Sequence, residues 1–177
     1  LRRQVAVENH REAVDALRAD YPDLRVLLFG KGALQTELEA AIAQRGLSDI
    51  IWLAGFRADL PQWLGGLDIL AHPAEMEGLG VSLLQASAAA VPIITSRAGG
   101  LPEAVADGVS GLLTAPGDVA ALTAALRRLL DDAGLRQRMG AAGRARILAE
   151  FSVDAMVDGN LAIYRQLINQ HSSGALT

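Results

Sequence analysis

The feature that most limits the fold is an alternation. Short apolar runs recur along the chain at 24–30 (LRVLLFG), 49–56 (DIIWLAGF), 67–73 (LDILAHP), 91–96 (VPIITS) and 110–115 (SGLLTA). A sheet with one wet face would alternate polar and apolar residues. These runs do not, so they read as strands of a parallel sheet covered on both faces. Helical stretches lie between them. Residues 33–47 carry Leu34, Leu38, Ala41 and Ile42 on one stripe and stop at Gly46. Further helices are expected at 59–67, 80–90 and 101–108, then near 117–131 and 135–149, and last over roughly 152–169 behind the cap candidate Ser152. Asp59 reads as an N-cap, with Pro61 in the first turn after it.

The start of the chain shows Val5, Ala13, Val14 and Leu17 at helical spacing, so 5–20 reads as a helix and the sheet's first strand as absent. With no initiator Met, the sequence reads as a domain excised from a longer chain. The expected organisation is an α/β, Rossmann-like three-layer sandwich over 1–151, a C-terminal helix over 152–170 and a flexible tail over 171–177. A composition of 51% hydrophobic residues supplies a core, and only 4% aromatics means it is built from Leu, Val, Ile and Ala. Trp52 and Trp63 are expected inside it. The absence of Cys excludes disulfides, Cys-zinc sites and thiol nucleophiles. A net charge of -4 argues against a nucleic-acid-binding face. No apolar run is long enough to span a bilayer, and no signal peptide is visible.

In a doubly wound fold, ligands bind beyond the carboxyl ends of the strands. The loops to read are therefore GKG (30–32), GFRAD (55–59), HPAEMEGLG (72–80), SRAGG (96–100) and APGD (115–118). HPAEMEGLG leaves a strand and enters a buried helix. The free N–H groups of a helix start suit a phosphate, and Gly78 and Gly80 let a ligand approach the backbone. Glu75 and Glu77 are poor phosphate neighbours but accept hydrogen bonds from sugar hydroxyls well. Phosphate beside a sugar-binding carboxylate suits a nucleotide-sugar. The same residues also serve a plain turn and carboxylates that offset a helix dipole; both readings stay open on these residues alone. SRAGGLPEAV repeats the layout one strand later with Gly99, Gly100, Pro102 and Glu103. Lys31, the only Lys, reads as part of a solvated turn. His72 reads as a structural histidine, and His10 and His171 have no assigned role. Three scattered histidines make no metal site.

These segments, in order and spacing, resemble the C-terminal domain of the group 1, or family 4, retaining glycosyltransferases of the GT-B fold. The resemblance covers nearly the whole chain. It rests on Glu77, Gly78, Leu79 and Gly80 before a helix, on Gly99, Gly100, Pro102 and Glu103, and on Asp107, Gly108 and Gly111. It implies that Glu77 contacts the donor sugar, that the backbone of Gly78, Leu79, Gly80 and Val81 holds sugar and diphosphate, and that position 85 meets the ribose. It implies that Phe56 and Arg57 flank the base, and that Gly30, Gly99 and Gly100 line the same donor site. No metal or other cofactor is implied. The implied partners are a nucleotide-diphosphate sugar and an N-terminal acceptor domain outside this chain; the implied place is the cytoplasm, at the inner face of the membrane through that domain. The chain departs from the family pattern twice: Gln85 stands where the family places Glu, and Val5 where it places Lys, with Arg2 or Arg3 as the substitute cation. The rivals are a donor-binding domain weakened by these departures and a GT-B-type nucleotide-sugar epimerase. Either way, the Glu77 and Gly99 loops are expected side by side at one end of the sheet.

Overall fold

The computed structural model describes residues 3–7 and 11–174. In chain order the elements are β1 (Arg3–Val7), α1 (Arg11–Leu17), β2 (Leu24–Phe29), α2 (Gln35–Gln44), β3 (Ile51–Gly55), α3 (Leu60–Leu64) and β4 (Ile69–His72). They continue with α4 (Val81–Ala88), β5 (Ile93–Ser96), α5 (Leu101–Ala104), β6 (Gly111–Thr114), α6 (Val119–Asp131), α7 (Ala133–Glu150) and α8 (Val153–Gly174). The six strands form one parallel sheet in the order β3-β2-β1-β4-β5-β6. This is the doubly wound order, and it reverses direction between β1 and β4, where a crevice opens.

The sheet corrects one expectation. Val5 belongs to a strand rather than to the first helix, and the strand expected to be absent is supplied by the chain. β1 pairs with β2 from Arg3↔Leu24 onward and with β4 from Val5↔Ile69 onward. The physical reason is that β2 and β4 each need a neighbour for their backbone N–H and C=O groups. The helical stripe proper begins later, with Ala13, Val14 and Leu17 buried in α1. Arg2, His10 and the end of the tail, 175–177, lie outside the described residues, as do the side chains of Arg3, Val5 and His171.

Two apolar layers sandwich the sheet. One joins α1, α6 and Met139 of α7 to Val26, Ile69, Ile94 and Leu112 of the strands. The other joins Leu64, Leu83, Ala86 and Leu101 of α3, α4 and α5 to Leu70 and Ile93. Every residue of β4 and β5 is buried, as the apolar runs require. β3 is an edge strand, and around it and α3 the expectation for the tryptophans fails. Trp52 is 42% exposed with the Arg25 guanidinium 5.7 Å above its ring. Trp63 sits on short α3, 36% exposed, with Arg57 4.5 Å over its ring. A large ring at a sheet edge covers apolar surface on one side and meets a cation on the other.

Polar caps set the long helices. Asp118 accepts from Ala121 N at 2.8 Å, Asp132 from Leu135 N at 2.7 Å, and Ser152 from Ala155 N at 3.1 Å. Such caps each contribute about 1 kcal/mol. Asp59, by contrast, precedes α3 without a side-chain cap and instead accepts from Trp63 Nε1 at 3.2 Å. Tyr21 donates its hydroxyl to Asp131 at 2.7 Å, joining the end of α1 to α6. Burial, and then this bond to Asp131, push its phenol above the ordinary value of 10.0. The last helix runs past the expected end at 170, to Gly174.

At the corner between α4 and β5, Ala90 holds a left-handed φ of 58°. A Cβ on Gly140 would lie 1.9 Å from the Ala90 carbonyl oxygen, so α7 presses directly on this corner. Left-handed backbone costs an L-residue about 1–2 kcal/mol, part of which glycine returns through its looser unfolded chain. Ala90→Gly is expected to stabilise the domain by about 0.5–1 kcal/mol, raising the thermal midpoint by roughly 1–4 °C. A melting curve with an unchanged or lower midpoint would show that the corner bears no such strain.

Candidate functional site

The reversal between β1 and β4 fixes where the strand ends converge. β4 ends at His72, and the loop over 73–80 carries the chain to α4. Gly80 precedes α4 with φ 72°; a Cβ there would lie 3.0 Å from Leu101 Cδ2 and 3.1 Å from Leu83 Cδ1. A bare, left-handed residue lets the chain turn directly into a helix. Leu79 packs partly buried against the layer of α4 and α5. Val81 is exposed at the first position of the helix.

Glu77 stands just before this turn. Its Oε1 accepts from Gly78 N at 3.1 Å. Its Oε2 lies 3.6 Å from His72 Nε2, and the side chain keeps 41% exposure. The second loop packs on the first. Gly100 N donates to the Glu77 carbonyl at 3.3 Å. Gly99 takes φ 52°, and a Cβ on it would lie 1.9 Å from that same carbonyl oxygen; a Cβ on Gly100 would lie 2.9 Å from the Gly78 carbonyl oxygen. The expected side-by-side arrangement of the Glu77 and Gly99 loops is therefore present. The glycine pair has a duty the sequence did not disclose: it lets two loop backbones touch. Behind the pair, Arg97 forms an ion pair with Asp107, whose Oδ1 accepts from Leu113 N at 2.9 Å. Arg97 N donates to the Thr114 carbonyl at 2.8 Å, so the second loop is anchored to β6.

The remaining site candidates fall into two places. Gln85 lies on α4, half-buried, in the same half of the sheet as Glu77. Gly30, Phe56 and Arg57 lie in the other half, after β2 and β3. In the strand order, β3 stands three positions from β4, which at about 4.8 Å per strand separates the two loops by roughly 14 Å. Phe56 is 73% exposed. Gly30, at φ 131°, donates its N–H to the Gly55 carbonyl at 3.0 Å and so ties the two loops together. Beside them is a cleft of about 800 Å³ lined by Arg11, Gly30, Lys31, Leu34, Leu53 and Gly55 among others. Lys31, read from sequence as a solvated turn, thus shares a cleft with a second cation. His72, read as structural, faces the candidate carboxylate. Its position at the last residue of a strand entering the key loop was the available signal. Among the described residues no group of three or more His, Asp and Glu side chains is arranged to hold a metal ion, and no helix is long and apolar enough to cross a membrane.

The chain matches, over residues 1–146, the family described as "Glycosyl transferases group 1". It is 34% identical over 167 residues to the 2-deoxystreptamine glucosyltransferase of Streptomyces kanamyceticus, covering 93% of this chain and 42% of that protein. The chain thus spans less than half the length of this relative. Its fold is similar to the C-terminal domain of the group 1 glycosyl transferase LpcC of Francisella tularensis, with TM-score 0.76, 25% identity and coverage of 85% of this chain and 87% of that one. It is also similar in fold to Anabaena HepE, solved in complex with UDP-glucose, with TM-score 0.74, 24% identity and coverage of 97% and 49%.

Proposed function

Because the chain belongs to the group 1 glycosyltransferases and has the fold of a GT-B C-terminal domain, we propose that it is the donor-binding domain of a transferase that uses a nucleotide-diphosphate sugar. The observation that carries this reading is the packed pair of loops, which presents the Glu77 carboxylate beside the start of α4 at the point where the sheet order reverses. In this reading Glu77 accepts hydrogen bonds from the sugar hydroxyls. The backbone of Gly78, Leu79, Gly80 and Val81 holds the diphosphate, which the helix start favours without a metal. Gln85 meets the ribose. Phe56, Arg57 and Gly30 flank the base on the far side of the crevice, a span an extended nucleotide bridges. Gly99 and Gly100 serve by holding the Glu77 loop in place.

Transfer then proceeds with retention of the anomeric configuration, onto an acceptor bound by a preceding N-terminal domain. The chain's share of its relatives' length supports such a division of labour. The reading places the enzyme in the cytoplasm, with any membrane contact made through the acceptor domain. The test is an assay of the full-length gene product against UDP-, GDP- and ADP-sugars, with titration of the matching nucleoside diphosphates. Transfer from one donor, with binding of its nucleotide, is expected; no turnover and no binding would end the proposal. Gln85 favours one rival, a domain that binds donor without turnover, and the same assay separates it: nucleotide binding with no transfer.

Gln85 also gives a direct measurement. A Glu there accepts charge-assisted bonds from ribose hydroxyls, where the neutral amide offers a single acceptor oxygen. Gln85→Glu is expected to tighten nucleoside diphosphate binding several-fold, about 1 kcal/mol, with little change in thermal stability. Calorimetric titration of both forms checks it; unchanged or weaker binding would remove the ribose from position 85.

A further inference from the structure

Among the groups around the Glu77 loop, His72 is one that the proposed chemistry has not used. It is 8% exposed, the last residue of β4. Its backbone is pinned, because the His72 carbonyl accepts from Thr95 Oγ1 at 2.8 Å and from Ala74 N at 3.0 Å. A buried ring on a pinned strand end has little freedom to turn. Its Nε2 faces Glu77 Oε2 at 3.6 Å, while Glu77 Oε1 is held by the Gly78 N–H at 3.1 Å. The carboxylate is thus approached from two sides, one by backbone and one by a fixed ring. Glu77 is otherwise a three-torsion side chain with 41% exposure, which in isolation samples many rotamers.

We infer that His72 is a positioning residue for donor transfer: its imidazole orients the Glu77 carboxylate toward the donor sugar. The inference rests on the donor-binding reading above. An imidazole nitrogen is an apt partner because it carries the hydrogen-bonding group at the end of a rigid ring rather than a flexible chain. Without it the carboxylate keeps its bond at Oε1 and gains freedom about its last torsion. The sugar hydroxyls would then meet a carboxylate in the right place but in the wrong orientation, which affects the reacting arrangement more than nucleotide binding.

The experiment uses the full-length gene product with its preferred nucleotide-sugar. His72→Leu fills the buried space without a hydrogen-bonding group, and His72→Gln restores an N–H donor at similar reach. His72→Leu is expected to lower kcat by about tenfold or more, toward the ~100-fold that a misplacement of 1 Å can cost. Its KM for the donor and its Kd for the nucleoside diphosphate should move by no more than about twofold, as a loss confined to the transition state requires. His72→Gln should recover most of the rate. In a Glu77→Gln background, His72→Leu should have little further effect on kcat, because residues acting through one contact do not add. The inference falls if His72→Leu leaves kcat unchanged. It falls also if the leucine and glutamine variants lose rate equally, or if the loss persists in full without the Glu77 carboxylate. A wild-type protein that neither binds nor uses any nucleotide-sugar overturns the donor reading and this role with it. A wild type that turns over normally, with additive effects of the two substitutions, overturns this role alone.

Discussion

Glu77→Gln is expected to lower transfer by the full-length enzyme by about 100-fold, the scale of removing one electrostatic contact to developing charge, while nucleoside diphosphate affinity changes far less. The geometry explains why an isosteric change should be so costly. The two carboxylate oxygens have different neighbours: Oε1 accepts from the Gly78 N–H at 3.1 Å, and Oε2 faces the His72 ring at 3.6 Å. An amide has one acceptor and one NH2 group. Turned to keep its oxygen on the Gly78 N–H, it puts the NH2 where Oε2 faces the His72 ring, and in the proposed reading it removes the charge that faces the sugar. In the proposed reading the nucleotide contacts come from backbone, from Gln85 and from the other half of the crevice, so they are expected to survive. Steady-state kinetics and calorimetric titration on the same preparation give the answer. Equal losses of turnover and nucleotide affinity would assign Glu77 to general binding or to loop structure.

Gly99→Ala is expected to cost about 2–4 kcal/mol of stability, in the upper part of the usual range for single substitutions, and to remove most activity. Two effects combine. The residue takes φ 52°, and its new Cβ would lie 1.9 Å from the Glu77 carbonyl oxygen. The first costs about 1–2 kcal/mol for any L-residue. The second can be relieved only by moving the Glu77 loop, because the obstacle is backbone. Gly117→Ala separates the two effects. Gly117 has φ 73° and open space around its Cβ position, so only the backbone strain applies. Chemical denaturation of both variants should show Gly99→Ala as clearly the worse; equal losses would mean that the loops yield without cost.

The alternation of apolar runs and helices was enough to read the sheet's remaining strands and its parallel sense. These depend on local periodicity, which a sequence displays directly. The central strand was missed because Val5, Ala6 and Val7 form a short run directly upstream of an amphipathic helix and share apolar spacing with it. What makes them a strand is the demand of β2 and β4 for partners, a tertiary fact. Trp52 was misplaced for a similar reason: hydrophobicity favours burial, yet β3 lies at an edge of the sheet, and edge position is set by strand order; Trp63, on the short α3, is 36% exposed under the Arg57 guanidinium. At the site, the Glu-Gly-Leu-Gly signal located the loop. That Gly99 and Gly100 exist to let one loop touch another, and that His72 faces Glu77, are relations across the strand order that no run of residues spells out.

The last helix bears on how the molecule breathes. α8 leaves Val153, Met156, Val157, Leu161, Ile163, Tyr164, Leu167 and Ile168 substantially exposed, and the buried clusters of the core end with Ile147 of α7 at the latest. A helix whose apolar side chains remain in water draws little free energy from tertiary packing, which is where most helical stability in proteins comes from. Its amides are therefore expected to exchange with solvent through local fraying, at a free energy far below that of global unfolding. β4 and β5, buried throughout, are expected to belong to the slowly exchanging unit.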